Sequence, residues 1–166
     1  MNTDLCLKYL EHPPATHSES TPLVIFLHGR AANELDLFDL APQIDPRFRV
    51  LCPRAPIEMG ENAYGWFHTE YLPNGPVHSP AEAERSRLLL IQFIFEAQSK
   101  YRVTPKQTFL FGFSQGSIMS LGIVLDCPEI LGGIAVLSGR ILPEHLKKAP
   151  SSRLERFPIL LSHGIH

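Results

Sequence analysis

Five continuous apolar runs, separated by longer stretches with helical periodicity, constrain the fold more than any other feature of this sequence. The runs are LVIFLHG (23–29), FRVLCP (48–53), TFLFG (108–112), GIAVLSG (133–139) and PILLSHG (158–164). Because they are continuous rather than alternating, they predict strands that are buried on both faces. Apolar strands that alternate with helical segments are typical of an α/β sheet with parallel strands.

Two of the segments between these runs have the features of α-helices. Ser79 and Pro80 occupy the positions of an N-cap and a first helical residue, and AEAERSRLLLIQFIFEAQSKY (81–101) then places apolar residues at helical spacing. A second helix is predicted over residues 115–126, and Pro128 ends it.

Three further segments complete the outline of the chain. ELDLFDLA (34–41) predicts a short third helix, and the weakly alternating DLCLKYLE (4–11) predicts an edge strand. The Pro- and Gly-rich stretch 53–80 is one long excursion rather than a linker. Loops of this length inside a compact domain are often functional, so we expect it to contribute to a site.

The length and composition of the chain predict one domain and argue against some classes of partner. With 166 residues, 44% of them hydrophobic and 19% charged, residues 1–166 form a single globular domain with a real core. A net charge of −2 with interspersed signs offers no basic stripe for nucleic acid. No run approaches the roughly 18 apolar residues of a membrane span, and the N-terminus lacks a signal-peptide pattern. We therefore predict a cytoplasmic protein without a membrane span.

The cysteines and histidines predict neither disulfides nor a metal site. Cys6, Cys52 and Cys127 are odd in number, widely spaced and set among apolar residues. We interpret them as reduced, structural thiols. His68 and His78 flank the excursion without the spacing of metal ligands, so no metal and no cofactor is predicted.

The motif GFSQG (112–116) is the strongest indication of chemistry, because it places Ser114 between two glycines directly after an apolar run. A serine hydroxyl is a weak nucleophile unless it is held exposed beside a base and oxyanion donors. A tight strand-to-helix turn exposes it, and glycines at 112 and 116 avoid collisions in so sharp a bend. The alternative is an ordinary turn with an incidental serine.

Two backbone N–H groups are candidates for an oxyanion hole. The helix after Ser114 places the Gln115 N–H at its positive end, aimed at developing negative charge. A loop that leaves a neighbouring parallel strand supplies a second donor, and in FLHGRAANELDL (26–37) this donor is the N–H of Arg30. Taken alone, His-Gly after a strand fits a turn glycine with a core histidine equally well.

Together, LHGRAANELDL, PRAP, YGWFH, GFSQG, LSGR and PILLSHG resemble, in order and spacing, the phospholipase/carboxylesterase family of small α/β-hydrolases. This family includes the acyl-protein thioesterases and many bacterial serine esterases. The resemblance implies an α/β-hydrolase fold, a doubly wound, mostly parallel sheet with helices on both faces, here lacking the last strand and helix. It also implies that Ser114 is the nucleophile and that the N–H groups of Arg30 and Gln115 form the oxyanion hole.

The resemblance further implies that two residues of the catalytic triad are not among residues 1–166. The family places its catalytic aspartate in a pattern His-Gly-x-x-Asp, and this sequence ends at His163-Gly164-Ile165-His166. The catalytic histidine of the family lies further on, after one more strand. Asp126 is the only aspartate after Ser114 and sits about 18 Å along the helix, too far to orient a base. His145, His163 and His166 are the only downstream histidines, and each is a poorer candidate than the missing one.

Substrate and partners follow less directly from the residues. Tyr64, Trp66 and Phe67 either line an acyl pocket or serve as packing residues. The Arg30 side chain is either solvated or attracts an anionic group. We predict hydrolysis of small-molecule carboxylic esters or thioesters through an acyl-enzyme. The alternative is a catalytically silent, hydrolase-like binding protein. We also expect a homo-oligomer, or association through a sheet edge left uncovered near residues 158–164.

Overall fold

A six-stranded sheet with order β1-β3-β2-β8-β9-β10 forms the centre of the molecule. The computed structural model describes residues 1–16, 21–146 and 154–164. The strands of this sheet are β1 (Tyr9–His12), β2 (Leu23–Leu27), β3 (Arg49–Pro53), β8 (Thr108–Phe113), β9 (Gly133–Leu137) and β10 (Ile159–Ser162). All neighbours are parallel except the β1–β3 pair, which is antiparallel. The predicted parallel α/β sheet is therefore confirmed, with the N-terminal segment as its edge strand.

The helices are α1 (Pro80–Tyr101), α2 (Gln115–Asp126) and α3 (Pro143–Leu146). The Ser79 hydroxyl accepts a hydrogen bond from the Glu82 N–H at 3.4 Å, which caps α1 as its sequence predicts. At its other end, Arg102 adopts a left-handed conformation with φ 53° and returns its N–H to the last turn. Helix α2 has the predicted bounds.

The predicted helix over residues 34–41 is wrong in position and type. A 3-10 helix forms instead over Phe38–Gln43. The preceding residues form a turn in which the Asn33 side-chain oxygen accepts a hydrogen bond from the Leu35 N–H at 2.9 Å. Because the asparagine side chain offers the backbone this local partner, it competes with helix formation.

The two faces of the sheet are covered differently in the described part of the chain. Alternate strand residues, among them Ile25, Leu110 and Ile134, pack with α1 and α2 into the main core. On the opposite face, Val24, Phe26 and Val50 form a smaller core with the 3-10 helix. Beyond that helix, this second face has an open apolar cavity of about 550 Å³ that reaches Leu160.

Strand β10 departs from the prediction of a strand that is buried on both faces. Ile159, Leu160 and Leu161 remain 47%, 61% and 69% exposed. The strand pairs with β9 on one side and ends the sheet on the other. Its apolar sequence is that of a central strand, but among the described residues it has the position of an edge strand.

The long excursion folds into two antiparallel hairpins. Strand β4 (Ile57–Gly60) pairs with β5 (Ala63–Gly65), and β6 (Thr69–Leu72) pairs with β7 (Gly75–His78). A hydrogen bond between His78 Nε2 and the Glu144 carboxylate at 2.8 Å joins the second hairpin to α3. None of the helices in the described ranges combines the length and the apolar character that crossing a lipid bilayer requires.

Candidate active site

Ser114 occupies a strained turn between β8 and α2. The strand ends at Phe113 and the helix begins at Gln115, so Ser114 is the single residue that joins them. Its φ of 51° and ψ of −112° lie outside the regions that residues with side chains ordinarily adopt. The Ser114 N–H donates to the Leu137 carbonyl of β9 at 2.9 Å, which holds the turn against the neighbouring strand. The expected strand-turn-helix arrangement is present.

The glycines that flank Ser114 have no room for a side chain. A Cβ atom at Gly112 would lie 2.6 Å from the carbonyl carbon of Gly116, and one at Gly116 would lie 2.0 Å from the Leu27 carbonyl oxygen. Both contacts are with backbone, which cannot move aside as a flexible side chain could. Close packing of α2 against β8 depends on Gly112, and its close packing against β2 depends on Gly116.

The loop after β2 approaches Ser114 through Gly29. A Cβ atom at Gly29 would lie 3.6 Å from the Ser114 Cβ, so the two backbones are neighbours. Buried His28 holds this loop, because its Nε2 accepts from the Ala55 N–H at 3.0 Å and its Nδ1 lies 2.8 Å from the Gly29 carbonyl. An accepting Nε2 leaves Nδ1 as the donor of a neutral ring. Burial lowers the pKa of His28, which favours that neutral form.

The buried side chain of Gln115 ties the start of α2 to the excursion. Its Oε1 accepts from the Trp66 N–H at 3.0 Å, and its Nε2 donates to the Phe67 carbonyl at 2.7 Å. These two bonds resemble the pairing between neighbouring strands. They place the backbone of residues 66 and 67 beside the turn that holds Ser114.

The three aromatic residues of the excursion occupy different environments. Trp66 is fully buried, and its indole N–H donates to the His28 carbonyl at 3.0 Å. The Tyr64 ring lies under the Arg54 guanidinium, 4.3 Å from it, and its hydroxyl accepts from the same group. Phe67 is buried and contributes to the wall of the cavity beside Ser114. Only Phe67 among the three lines that cavity.

The cavity beside Ser114 has a volume of about 260 Å³. Hairpin residues Phe67, Thr69, Tyr71 and Pro76 form one side of it. The loops after the parallel strands form the rest, with Arg30 after β2, Ser138 to Arg140 after β9 and His163 after β10. The Arg30 guanidinium lies 5.3 Å from the centre of the Tyr71 ring. The structure therefore brings Ser114, Arg30, Gln115 and Phe67 to one cavity.

The candidate acids and bases are distributed unevenly around this cavity. Among the histidines in the described ranges, His163 alone lines it. His145 is buried in α3 near Gly122, and Asp126 at the end of α2 is paired with Arg87 at 2.7 Å. His166 lies outside the described residues. No cluster of three or more histidine, cysteine or carboxylate side chains suited to a metal ion occurs in the part of the chain that the structure describes.

Sequence reasoning missed several residues of the cavity wall. Arg140 directly follows an apolar run, and the carboxyl ends of parallel strands meet at one edge of a sheet, so this position could have been found. Thr69 and Tyr71 gave no comparable signal, since only the folding of the second hairpin brings them to Ser114.

A parallel sheet with a serine on a strained turn between a central strand and a helix defines the α/β-hydrolase class. The chain belongs to the phospholipase/carboxylesterase family, whose model matches residues 14–166. By family it is a hydrolase of the carboxylesterase and thioesterase kind.

Individual relatives agree with this assignment. The chain is 28% identical to acyl-protein thioesterase 1 homolog 1 of Dictyostelium discoideum, over 99% of this chain and 75% of that protein. It is 30% identical to acyl-protein thioesterase 1 of Gibberella zeae, over 89% of this chain and 70% of that protein. The crystal structure of esterase PE8 superimposes with a TM-score of 0.82 at 30% identity, over 95% of this chain and 74% of that one.

Proposed function

We propose that Ser114 is the nucleophile of a hydrolase that cleaves carboxylic esters or thioesters through an acyl-enzyme. The Ser114 oxygen bonds to the carbonyl carbon and loses its proton, and the alcohol or thiol leaves with a proton. Water then attacks the acyl-serine, which releases the acid and restores the hydroxyl. The observation that carries this proposal is the strained conformation of Ser114 between β8 and α2, at the wall of a cavity.

The oxyanion hole in this proposal consists of the backbone N–H groups of Arg30 and Gln115. Gln115 is the first residue of α2, and the first N–H groups of a helix have no acceptor within it. The N–H of Ser114 itself is already bonded to Leu137. The approach of Gly29 to Ser114 supports Arg30 as the second donor, because Arg30 is the next residue of that loop.

The acid and the base of the triad are proposed to lie outside residues 1–166. The family pattern places both after His163, and the two thioesterase relatives are longer than their matched regions. A chain extended by those segments would then hold all three triad groups. The His163 imidazole is the one described candidate for a weaker base in the present chain, because it lines the same cavity as Ser114.

Labelling with a fluorophosphonate tests this proposal, since the reagent requires an activated serine. We expect slow labelling of residues 1–166, faster labelling of a chain extended through the missing segments, and none after Ser114→Ala. Ser117→Ala is the matched control, because Ser117 is a buried serine of α2 bonded to the Gly112 and Leu137 carbonyls. Labelling that persists in Ser114→Ala, in either chain, would exclude Ser114 as the nucleophile.

We further propose that the chain associates with a second copy through β10. Among the described residues β10 is an edge strand with three exposed apolar side chains, and the backbone edge of such a strand is a template for pairing with another strand. Sedimentation velocity should show a dimer or larger species, and Leu161→Lys should shift it toward the monomer. A monomer across the micromolar range would contradict the proposal.

The predicted cytoplasmic location also stays a proposal. It is supported by Cys6, Cys52 and Cys127, none of which is joined in a disulfide with a described residue, as is usual in a reducing compartment.

A further inference from the structure

The cavity beside Ser114 is flanked by two arginines that belong to different loops. Arg30 follows β2 and Arg140 follows β9, and both contribute to the cavity wall. In the sheet, β8 lies between β2 and β9, so the two loops stand on either side of the strand that leads to Ser114. An ester carbonyl held at Ser114 would therefore lie between two loops that each carry an arginine.

Neither arginine forms an ion pair with a residue that the structure describes. Arg54 and Arg87, by contrast, each bind carboxylates, and the Arg54 side chain contacts Glu34 at 2.6 Å. The contact of Arg30 is with the face of the Tyr71 ring, which positions its guanidinium without neutralising it. Both arginine charges at the cavity thus remain available to a ligand.

No carboxylate among the described residues lines this cavity. The nearest acidic residue on the second hairpin is Glu70, between Thr69 and Tyr71 on β6. Successive side chains of a strand point to opposite faces, so Glu70 points away from the cavity that its two neighbours line. The described side chains that line the cavity therefore carry a net positive formal charge, although the whole chain carries a formal charge of −2.

We propose that this site selects small esters or thioesters that carry a negative charge, with the Arg30 and Arg140 side chains as the residues that determine this specificity. The inference rests on the proposed function, because it places the ester at Ser114. A volume of about 260 Å³ lies just below the range of about 300–1,000 Å³ typical of drug-sized ligands, which favours small substrates. A carboxylate on the acyl group or on the leaving group would then interact with the two guanidinium groups.

Binding is measured first, with ligands that cannot be hydrolysed. In 4-acetamidobenzoate and 4-acetamidobenzamide an amide replaces the ester, and the two differ in charge but little in shape. NMR titration of the ¹⁵N-labelled chain should show that the anion binds more tightly by roughly threefold to fivefold per arginine, as exposed ion pairs allow. The preference should shrink at high salt.

Variants assign the preference to the two arginines. Arg140→Gln and Arg30→Gln should each lower the anion preference, and the double variant should abolish it. Arg47→Gln is the matched control, since Arg47 precedes β3 at the opposite end of the sheet and pairs with Asp45. It should leave the preference unchanged. Circular dichroism melts will show whether each variant is folded.

Hydrolysis is measured separately in the chain extended through the segments proposed to hold the acid and the base, with 4-acetoxybenzoate and 4-acetoxybenzamide corrected for their rates in buffer. Equal binding of the two amide ligands, binding of neither, or a preference that survives in the double variant would overturn the inference. A preference that the double variant abolishes supports it even if neither ester is hydrolysed. In that case the anion site would stand and the proposed esterase function would fail.

Discussion

Replacing Gln115 with alanine should destabilise the fold strongly while leaving the backbone of the proposed oxyanion hole in place. The side chain is buried and makes two hydrogen bonds with the backbone of the excursion, at 3.0 Å to the Trp66 N–H and 2.7 Å to the Phe67 carbonyl. Alanine keeps the N–H of residue 115 but removes both partners. The Trp66 N–H and the Phe67 carbonyl then lose their acceptor and donor inside the protein.

The expected cost follows from the two groups left without partners. A buried polar group without a hydrogen bond costs about 1–3 kcal/mol, so two of them cost about 2–6 kcal/mol. Native domains of this size are stable by only about 5–15 kcal/mol, so the loss is a large fraction of the total. With a urea m-value of about 2 kcal/mol/M, a loss of about 3 kcal/mol lowers the midpoint by about 1.5 M.

Urea denaturation followed by tryptophan fluorescence measures this loss of stability directly. Trp66 is the only tryptophan in the sequence, so the whole tryptophan signal comes from the residue that Gln115 binds. Gln92→Ala is the matched control on a helix surface. The Gln92 side chain is exposed and bonds Glu96 four residues on, an interaction worth about 0.2–0.5 kcal/mol. A loss in Gln115→Ala no larger than that in Gln92→Ala would refute the role assigned to Gln115.

Three further predictions concern packing, pH and thiol reactivity. Gly116→Ala should lower the free energy of unfolding, measured by urea denaturation, by more than about 3 kcal/mol, because the added Cβ would lie 2.0 Å from the Leu27 carbonyl oxygen. A loss below about 1 kcal/mol would contradict the packing of α2 against β2. Burial raises the pKa of Glu34, but the hydrogen bonds from Arg54, a backbone hydrogen bond and the Arg54 charge together lower it by more, so the net pKa lies below 4.5. The stability from this pair is present above pH 4.5 and is lost as pH falls through the lowered pKa, so Glu34→Gln should flatten that part of a urea-midpoint series; an unchanged slope would refute it. Burial raises the pKa of Cys52 to about 12, so iodoacetamide at pH 8 should alkylate it only after unfolding, as peptide mass spectrometry can show; rapid alkylation of the native chain would be the contrary result.

Much of the sheet could be predicted from the sequence, because the apolar residues that favour a strand locally are also the residues that the core of the folded sheet requires. Continuous apolar runs placed β2, β3, β8 and β9 within one or two residues of their observed bounds. The Ser79-Pro80 pair located the start of α1, since an N-cap side chain and a proline are both favoured there regardless of the rest of the fold. The helix predicted over residues 34–41 was wrong because the Asn33 side chain accepts a hydrogen bond from the Leu35 N–H and so stabilises a turn, which hydrophobic periodicity does not reveal.

The turn around Ser114 was predictable for the same reason, because the geometry of one sharp bend is encoded in five adjacent residues. Gly112 and Gly116 mark positions without space for a Cβ atom, and the helix that follows begins at the next residue after Ser114. Such short-range constraints depend little on distant parts of the chain.

The sequence by itself therefore determined the main strands and the two long helices in their order along the chain, the turn at Ser114 and the family. Only the tertiary structure decided which side chains share its cavity. Arg30 and Arg140 are more than a hundred residues apart in the chain and meet because β2 and β9 both neighbour β8. The same is true of β10, whose apolar residues look like those of a central strand. Burial depends on what packs against a residue, and no local pattern contains that information.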